Sequence, residues 1–225
     1  MVHGNMNYMK KNEPLPVKVS VVMSVYNTPY DLVERALDSV LNQDMPHFEL
    51  IILNDGSSEE LSEKLVTYAQ KDKQKIKYES HSNLGQAESV NSGIVLCQGD
   101  YVAMLDSDDE YKSNHLSSCL KAIGEDDLIC SLTETIVDSE EDYFVPDKDD
   151  NKVNVHVDDC VLFATFFGRI NVFKKLNFKS MYAADADFYK KAAQFFKVKK
   201  VDLRTYKYYR NRKSSVSAQL KLKCG

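Results

Sequence analysis

Several things are missing from this sequence of 225 residues, and each absence excludes a class of protein. No apolar run approaches the ~18–20 residues that a membrane-spanning helix needs. Residues 1–12 hold no apolar core of signal-peptide type. An excess of positive charge is also absent, because the formal net charge is -5 and a broad nucleic-acid-binding surface requires a basic field. The five cysteines, Cys97, Cys119, Cys130, Cys160 and Cys224, form no C-x-x-C pair, and no His/Cys cluster has zinc spacing. They read as reduced, buried thiols of a cytosolic protein. No N-x-[ST] acceptor site, no G-K-[ST] of a P-loop and no G-x-G-x-x-G of a dinucleotide fold occurs.

What is present is an ordinary globular composition, 43% hydrophobic and 28% charged, enough to bury a core. Residues 1–16 form a polar lead-in ending in Pro14-Leu15-Pro16. Thereafter the pattern alternates. β-Branched residues predict strands over 17–25, 48–53, 76–79 and 100–105. Between them lie helices: one opening near Pro29 with an apolar stripe of Leu32, Val33, Ala36, Leu37, Val40 and Leu41, one over 59–71, and one over 86–97. Ser57 with Glu60 reads as the capping box of the second helix. That rhythm predicts an α/β fold, a Rossmann-like mostly parallel sheet flanked by helices. In such sheets ligands bind outside the carboxyl ends of the strands.

Past residue 110 the pattern is less regular. A helix is expected over 114–123, strand over 128–133, strand-like character over 161–173, a helix over 184–196 and a closing strand over 197–201. The acidic stretch 138–159 reads as a solvated loop, or as a lid facing a second substrate. His81, His115 and His156 read as capping or solvent-facing, and the aromatic run Phe163, Phe166, Phe167, Phe173 and Phe178 as core.

Four polar clusters fall at the four strand ends. Ser24-Val25-Tyr26-Asn27-Thr28 closes the first, Asn54-Asp55-Gly56-Ser57 the second, and Asn83-Leu84-Gly85-Gln86 precedes the third helix. Gly85 permits close backbone approach to a ligand, and the helix start presents free N–H groups. The fourth cluster, Asp106-Ser107-Asp108-Asp109, delivers three carboxylates to one strand tip. Like charges so close call for a cation between them. Mg²⁺ or Mn²⁺ uses one or two carboxylates and completes its shell with phosphate oxygens. An EF-hand is excluded, since its Gly and Glu positions hold Tyr111 and Ser117. Taken alone, each cluster is an ordinary turn or helix cap; Asp109 in particular reads as the cap of the following helix.

The ordered set VSVVMSVYN (19–27), LNDGSS (53–58), NLGQAESVNSG (83–93) and GDYVAMLDSDD (99–109) resembles the family 2 glycosyltransferases with a GT-A fold. The segment Tyr182–Phe188 resembles that family's acidic segment carrying a catalytic base, and Tyr208–Ser215 its Tyr-x-Arg tail. The resemblance implies one domain over 17–217, with a nucleotide-sugar-binding half (17–109), a more irregular acceptor half (110–217) and a tail over 218–225. It implies an inverting, metal-assisted transfer from a nucleotide-sugar, a UDP-sugar foremost, to a saccharide or glycolipid hydroxyl, as in polysaccharide biosynthesis at the cell envelope. Ser24, Tyr26, Asn27, Asp55, Asn83, Gly85, Gln86, Asp106 and Ser107 would hold the donor, and Asp106 and Asp108 the Mn²⁺ or Mg²⁺. Asp185 would be the base, with Asp187 the competing choice, because Ala184 stands where the family often has Glu. Arg210 and Arg212 either clamp the diphosphate or lie on a solvated basic strand. The expected location is cytoplasmic, with peripheral contact at the inner face of the membrane through the basic tail. A non-catalytic nucleotide-sugar-binding module is the alternative. A nucleotidyltransferase would need a Gly-rich basic loop where Tyr26-Asn27-Thr28-Pro29 stands.

Overall fold

The computed structural model describes residues 17–147, 150, 152–179 and 184–211. The chain runs β1 (Val19–Val25), α1 (Tyr30–Leu41), β2 (Phe48–Asp55), α2 (Glu59–Ala69), β3 (Ile76–His81), α3 (Gln86–Leu96) and β4 (Tyr101–Met104). It continues through β5 (Glu110–Tyr111), α4 (His115–Ile123), β6 (Leu128–Ile136), β7 (Phe144–Pro146), β8 (Asn154–His156), β9 (Phe166–Arg169), α5 (Ile170–Lys175), α6 (Ala184–Phe195) and β10 (Val198–Tyr209). Eight of these strands form one sheet in the order β3-β2-β1-β4-β9-β6-β10-β5, and β7 with β8 forms a separate hairpin. The β3-β2-β1-β4 half is parallel, as the strand–helix alternation requires. β9 runs antiparallel to both β4 and β6, β10 is parallel to β6, and β5 is antiparallel to β10.

Strand alternation divides the core between the two faces of this sheet. Val21, Met23, Leu50 and Ile52 meet α1, α2 and α4 through Val33, Leu37, Leu61, Leu65 and Leu116. Val22, Ile51 and Leu53 meet α3, α5 and α6 through Val90, Ile94, Val172, Phe173 and Phe188. All eight residues of β2 are buried, the continuous run expected of a parallel strand covered on both sides. No helix among the described residues is long and apolar enough to cross a membrane.

Several expectations need correction. Residues 161–173 are not one strand; a 3₁₀ turn over Phe163–Thr165 leads into the four-residue β9 and then α5. The closing strand extends to Tyr209, because a bulge lets it stay paired: Val201 faces Ser131, yet Tyr206 faces the next-but-one residue, Thr133. Arg204 sits in that bulge at φ 44°, held by Thr133 O and Asp158. The described residues of the acidic stretch are not one plain loop: they form a 3₁₀ turn over Glu140–Tyr143 and the paired β7 and β8. α2 is capped by Ser58, whose hydroxyl accepts from Leu61 N, and not by Ser57. His115 is buried, stacked 3.9 Å from the Tyr111 ring and hydrogen-bonded to Thr205 Oγ1. His156 does cap, accepting from Asp158 N, while half-buried His81 lies 3.4 Å from Asp55. Cys97, Cys119 and Cys130 are buried free thiols and Cys160 is half-buried; Cys224 lies outside the described residues.

Candidate active site

The carboxyl ends of β1, β2 and β4 and the loop leading into α3 converge, and side chains join them into a closed ring. Ser107 Oγ and Thr28 Oγ1 lie 2.7 Å apart, linking the acidic run to the β1 loop. Asn27 carries the ring onward: its N–H donates to Ser57 Oγ and its Oδ1 accepts from Ser58 N at 2.9 Å. Asn27 holds φ 49°, a left-handed conformation that Asn tolerates better than most side chains. Asp55, fully buried at the end of β2, accepts from Leu84 N at 2.7 Å and Gly85 N at 3.0 Å. Gly85 at φ 87° makes that approach possible, and Gly56 must be glycine because a Cβ there would meet Asn83 N at 2.5 Å. Gln86 Nε2 then donates to Asp106 Oδ1 at 2.8 Å and closes the ring.

Ser24 turns away from this ring, its hydroxyl donating to Ser89 on α3. Tyr26 stands 54% exposed at the lip, available for stacking. Asn83 is exposed.

Beneath the ring lies a cavity of about 120 Å³, lined by Asp106, Asp109, Asp185, Tyr206, Tyr208 and residues 162–165. Three carboxylates and no cationic side chain line it. Burial first, and then the charges of Asp108 and Asp185, hold the Asp106 carboxyl up at about 7, against the lowering hydrogen bond of Gln86. Asp109 is also pushed well up, by burial and then by Asp106 and Asp108. It does not cap α4. It is buried, accepting from Tyr206 Oη at 2.8 Å and Tyr209 N at 2.8 Å. Tyr206 Oη in turn accepts from Asp106 N at 3.3 Å. Burial raises Asp185 above the ordinary carboxylate range, while backbone hydrogen bonds from Ala186 and Phe163 pull it down. Asp187 is drawn off by an ion pair with Lys191 one turn along α6.

Arg210 is corrected. Its guanidinium is nearly fully buried and donates to Asp142 O at 2.5 Å, Phe144 O at 3.2 Å and Tyr208 Oη at 3.3 Å. It braces the acidic segment against β10 and is not a free anion clamp. Arg212 lies outside the described residues. Sequence reasoning placed Thr28 in the β1-end cluster and Tyr208 in the tail motif without giving either a site role, and it missed Tyr206. The two tyrosines alternate along β10 with period two, a signal that the polar character of the strand obscures.

Comparison with known proteins places this geometry. The fold is shared with the crystal structure of Staphylococcus aureus TarS 1-349 in complex with UDP-GlcNAc, at a TM-score of 0.70 and 20% identity, covering 90% of this chain and 61% of that one. It is also shared with the mannosyltransferase PcManGT from Pyrobaculum calidifontis in complex with GDP-Man and Mn²⁺, at a TM-score of 0.66 and 15% identity, covering 84% and 56%. These likenesses define a GT-A fold. The family model for glycosyl transferase family 2 matches residues 20–196, and the chain belongs to that family. An uncharacterized glycosyltransferase of Rickettsia bellii is 42% identical over 127 residues, covering 56% of this chain and 18% of that protein. The GalNAc(5)-diNAcBac-PP-undecaprenol beta-1,3-glucosyltransferase of Campylobacter jejuni is 34% identical over 110 residues, covering 48% and 35%. The shared stretch is therefore a minor part of these relatives.

Proposed function

We propose that this chain is the donor-binding and catalytic domain of an inverting glycosyltransferase. It moves a sugar, a hexose or N-acetylhexosamine, from a UDP-sugar to a hydroxyl of a saccharide or lipid-linked acceptor. The observation that carries the reading is the shared cavity, in which Asp185 faces Asp106 below the ring of strand-end contacts. The TarS complex with UDP-GlcNAc supports the uridine donor, and the name of the Campylobacter relative supports a lipid-linked acceptor.

The residues fit a divalent cation. Among those described, no group of three or more His, Cys, Asp or Glu forms a closed metal cage. Asp106 and Asp108, two carboxylates of one turn, match by residue type the Mg²⁺ or Mn²⁺ pattern, in which diphosphate oxygens would complete the shell. The cavity gathers Asp106, Asp109 and Asp185 with no cationic side chain in its lining, a setting that a bound cation would relieve. Such an ion, when bound, neutralises the leaving diphosphate. Tyr26 stacks on the base at the lip. Asp55 fixes the 84–85 backbone, and Gln86 orients Asp106. Asp185 accepts the proton from the acceptor hydroxyl as that oxygen attacks the anomeric carbon and the nucleoside diphosphate leaves. Its raised affinity for protons suits a general base better than an ordinary carboxylate would.

Incubation with a panel of UDP-sugars, Mn²⁺ and saccharide acceptors, followed by UDP release, tests this. Turnover that Asp185→Asn abolishes is expected. UDP binding without turnover on any acceptor would instead make the chain a binding module.

A further inference from the structure

One face of α1 carries a polar stripe that the donor-site reading does not use. Arg35 and Ser39 lie one turn apart on α1, and Gln43 follows just past the end of the helix at Leu41. All three grip the segment that follows the acidic run. Ser39 Oγ accepts from Tyr111 N at 3.0 Å. Gln43 donates to Lys112 O at 2.7 Å and accepts from Leu116 N at 2.9 Å. Arg35, at the end nearest the site, reaches the acidic run itself: its Nη2 donates to Asp108 O at 2.5 Å. Its Nε lies 3.4 Å from Glu110 Oε2, and its guanidinium stacks 4.0 Å above the Tyr209 ring. Tyr209 is the residue whose N–H holds Asp109 Oδ1, and its hydroxyl donates to Glu110 Oε1 at 3.1 Å.

Arg35 therefore touches both sides of the acidic turn, through the main chain of Asp108 and through the strand that anchors Asp109. A planar, delocalised cation can stack on an aromatic face and direct an N–H at a carbonyl together; an ammonium cannot do both. We infer that Arg35 is a positioning residue for metal-dependent donor binding, fixing the main chain of Asp108 so that its carboxylate meets the cation. This rests on the donor-site reading above. Outer-shell partners of metal ligands are commonly worth about 10–100-fold in metal affinity.

The test uses the whole chain, Mn²⁺ and UDP, with no acceptor needed. Mn²⁺ binding in the presence of UDP is followed by electron paramagnetic resonance for wild type, Arg35→Gln, Arg35→Lys and a control, Glu34→Gln. The control, one residue earlier on α1, changes the contacts of Glu34 with Lys71 and with Tyr30, neither of which touches the acidic run. We expect Arg35→Gln to weaken Mn²⁺ binding about 10-fold, and Arg35→Lys to weaken it by less. UDP binding to both should return to the wild-type level at saturating Mn²⁺, a rescue that general misfolding would not show. Melting curves verify folding. If Arg35→Gln does not fold, Arg35→Lys decides, and wild-type Mn²⁺ affinity in that variant overturns the inference. Equal Mn²⁺ affinity in wild type and a folded Arg35→Gln overturns it while leaving the donor site standing. A wild-type protein that shows no Mn²⁺-dependent UDP binding overturns the donor-site reading itself.

Discussion

Replacing Tyr206 by Phe removes one oxygen from the wall between Asp106 and Asp109. The ring stays, still edge-on to Tyr111 at 5.7 Å and to His115 at 6.2 Å, so little packing changes. What is lost is the donor to Asp109 Oδ2 at 2.8 Å and the acceptor for Asp106 N at 3.3 Å. A buried hydrogen bond to a carboxylate contributes about 1.5–3 kcal/mol and a long neutral one about 0.5–1 kcal/mol. The sum predicts a loss of about 2–3 kcal/mol, since Asp109 keeps Tyr209 N as its other donor. For a domain of this size that corresponds to a fall in melting temperature of roughly 5–10 °C. Urea titration of the metal-free protein gives the free energy directly. A double-mutant cycle with Asp109→Asn isolates the pair, with an expected coupling above about 1 kcal/mol. A Tyr206→Phe protein within about 0.5 kcal/mol of wild type, or strictly additive effects in the cycle, would refute the claim that this hydroxyl anchors the acidic turn.

Two further predictions concern charge and backbone. Because the Asp106 carboxyl is held at about 7 against an unfolded value of 3.8, the native state binds the extra proton, and the metal-free protein loses stability as pH rises from 3.8 to about 7. Asp106→Asn should therefore match wild type below pH 4 and exceed it increasingly up to pH 7, read from urea midpoints in a chelator; an advantage that does not grow with pH contradicts the assignment. Gly85→Ala places a side chain at φ 87° and should cost about 1–3 kcal/mol. It should also weaken UDP binding by displacing the Asp55 contacts, and unchanged binding would detach Asp55 from the donor site.

The first half of the fold was legible because β1, β2 and β4 are short, largely apolar buried strands and α1 has a clear apolar stripe. Beyond residue 110 the signal fades for identifiable reasons. Tyr206 and Thr205 are buried in β10, but Lys199, Asp202, Arg204 and Lys207 interleave with them, and a bulge interrupts the alternation. In residues 161–173 apolar side chains face a core through three short elements, which leaves no single period to read. In the site, the strand-end clusters were found from residue type and order. Their division of labour was not: Asp109 and Arg210 look like a surface cap and a free cation until their buried partners on β10 and in the 142–144 segment are seen. Ser57 and Ser58 are equally good caps by type, and only the contact of Ser57 with Val25 O and Asn27 N assigns the cap to its neighbour.

The central claim is that one cavity joins a metal-dependent donor site at Asp106 and Asp108 to a base at Asp185. The most direct test measures UDP binding with and without Mn²⁺, alongside UDP-sugar turnover, in wild type, Asp108→Ala, Asp185→Asn and Asp187→Asn. The account predicts that Asp108→Ala loses the Mn²⁺-dependent part of binding, that Asp185→Asn keeps binding but loses turnover by at least about 100-fold, and that Asp187→Asn, tied only to Lys191 among the contacts described above, keeps both. Mn²⁺-dependent UDP binding unaffected by Asp108→Ala, or turnover that survives Asp185→Asn and fails with Asp187→Asn, would contradict it.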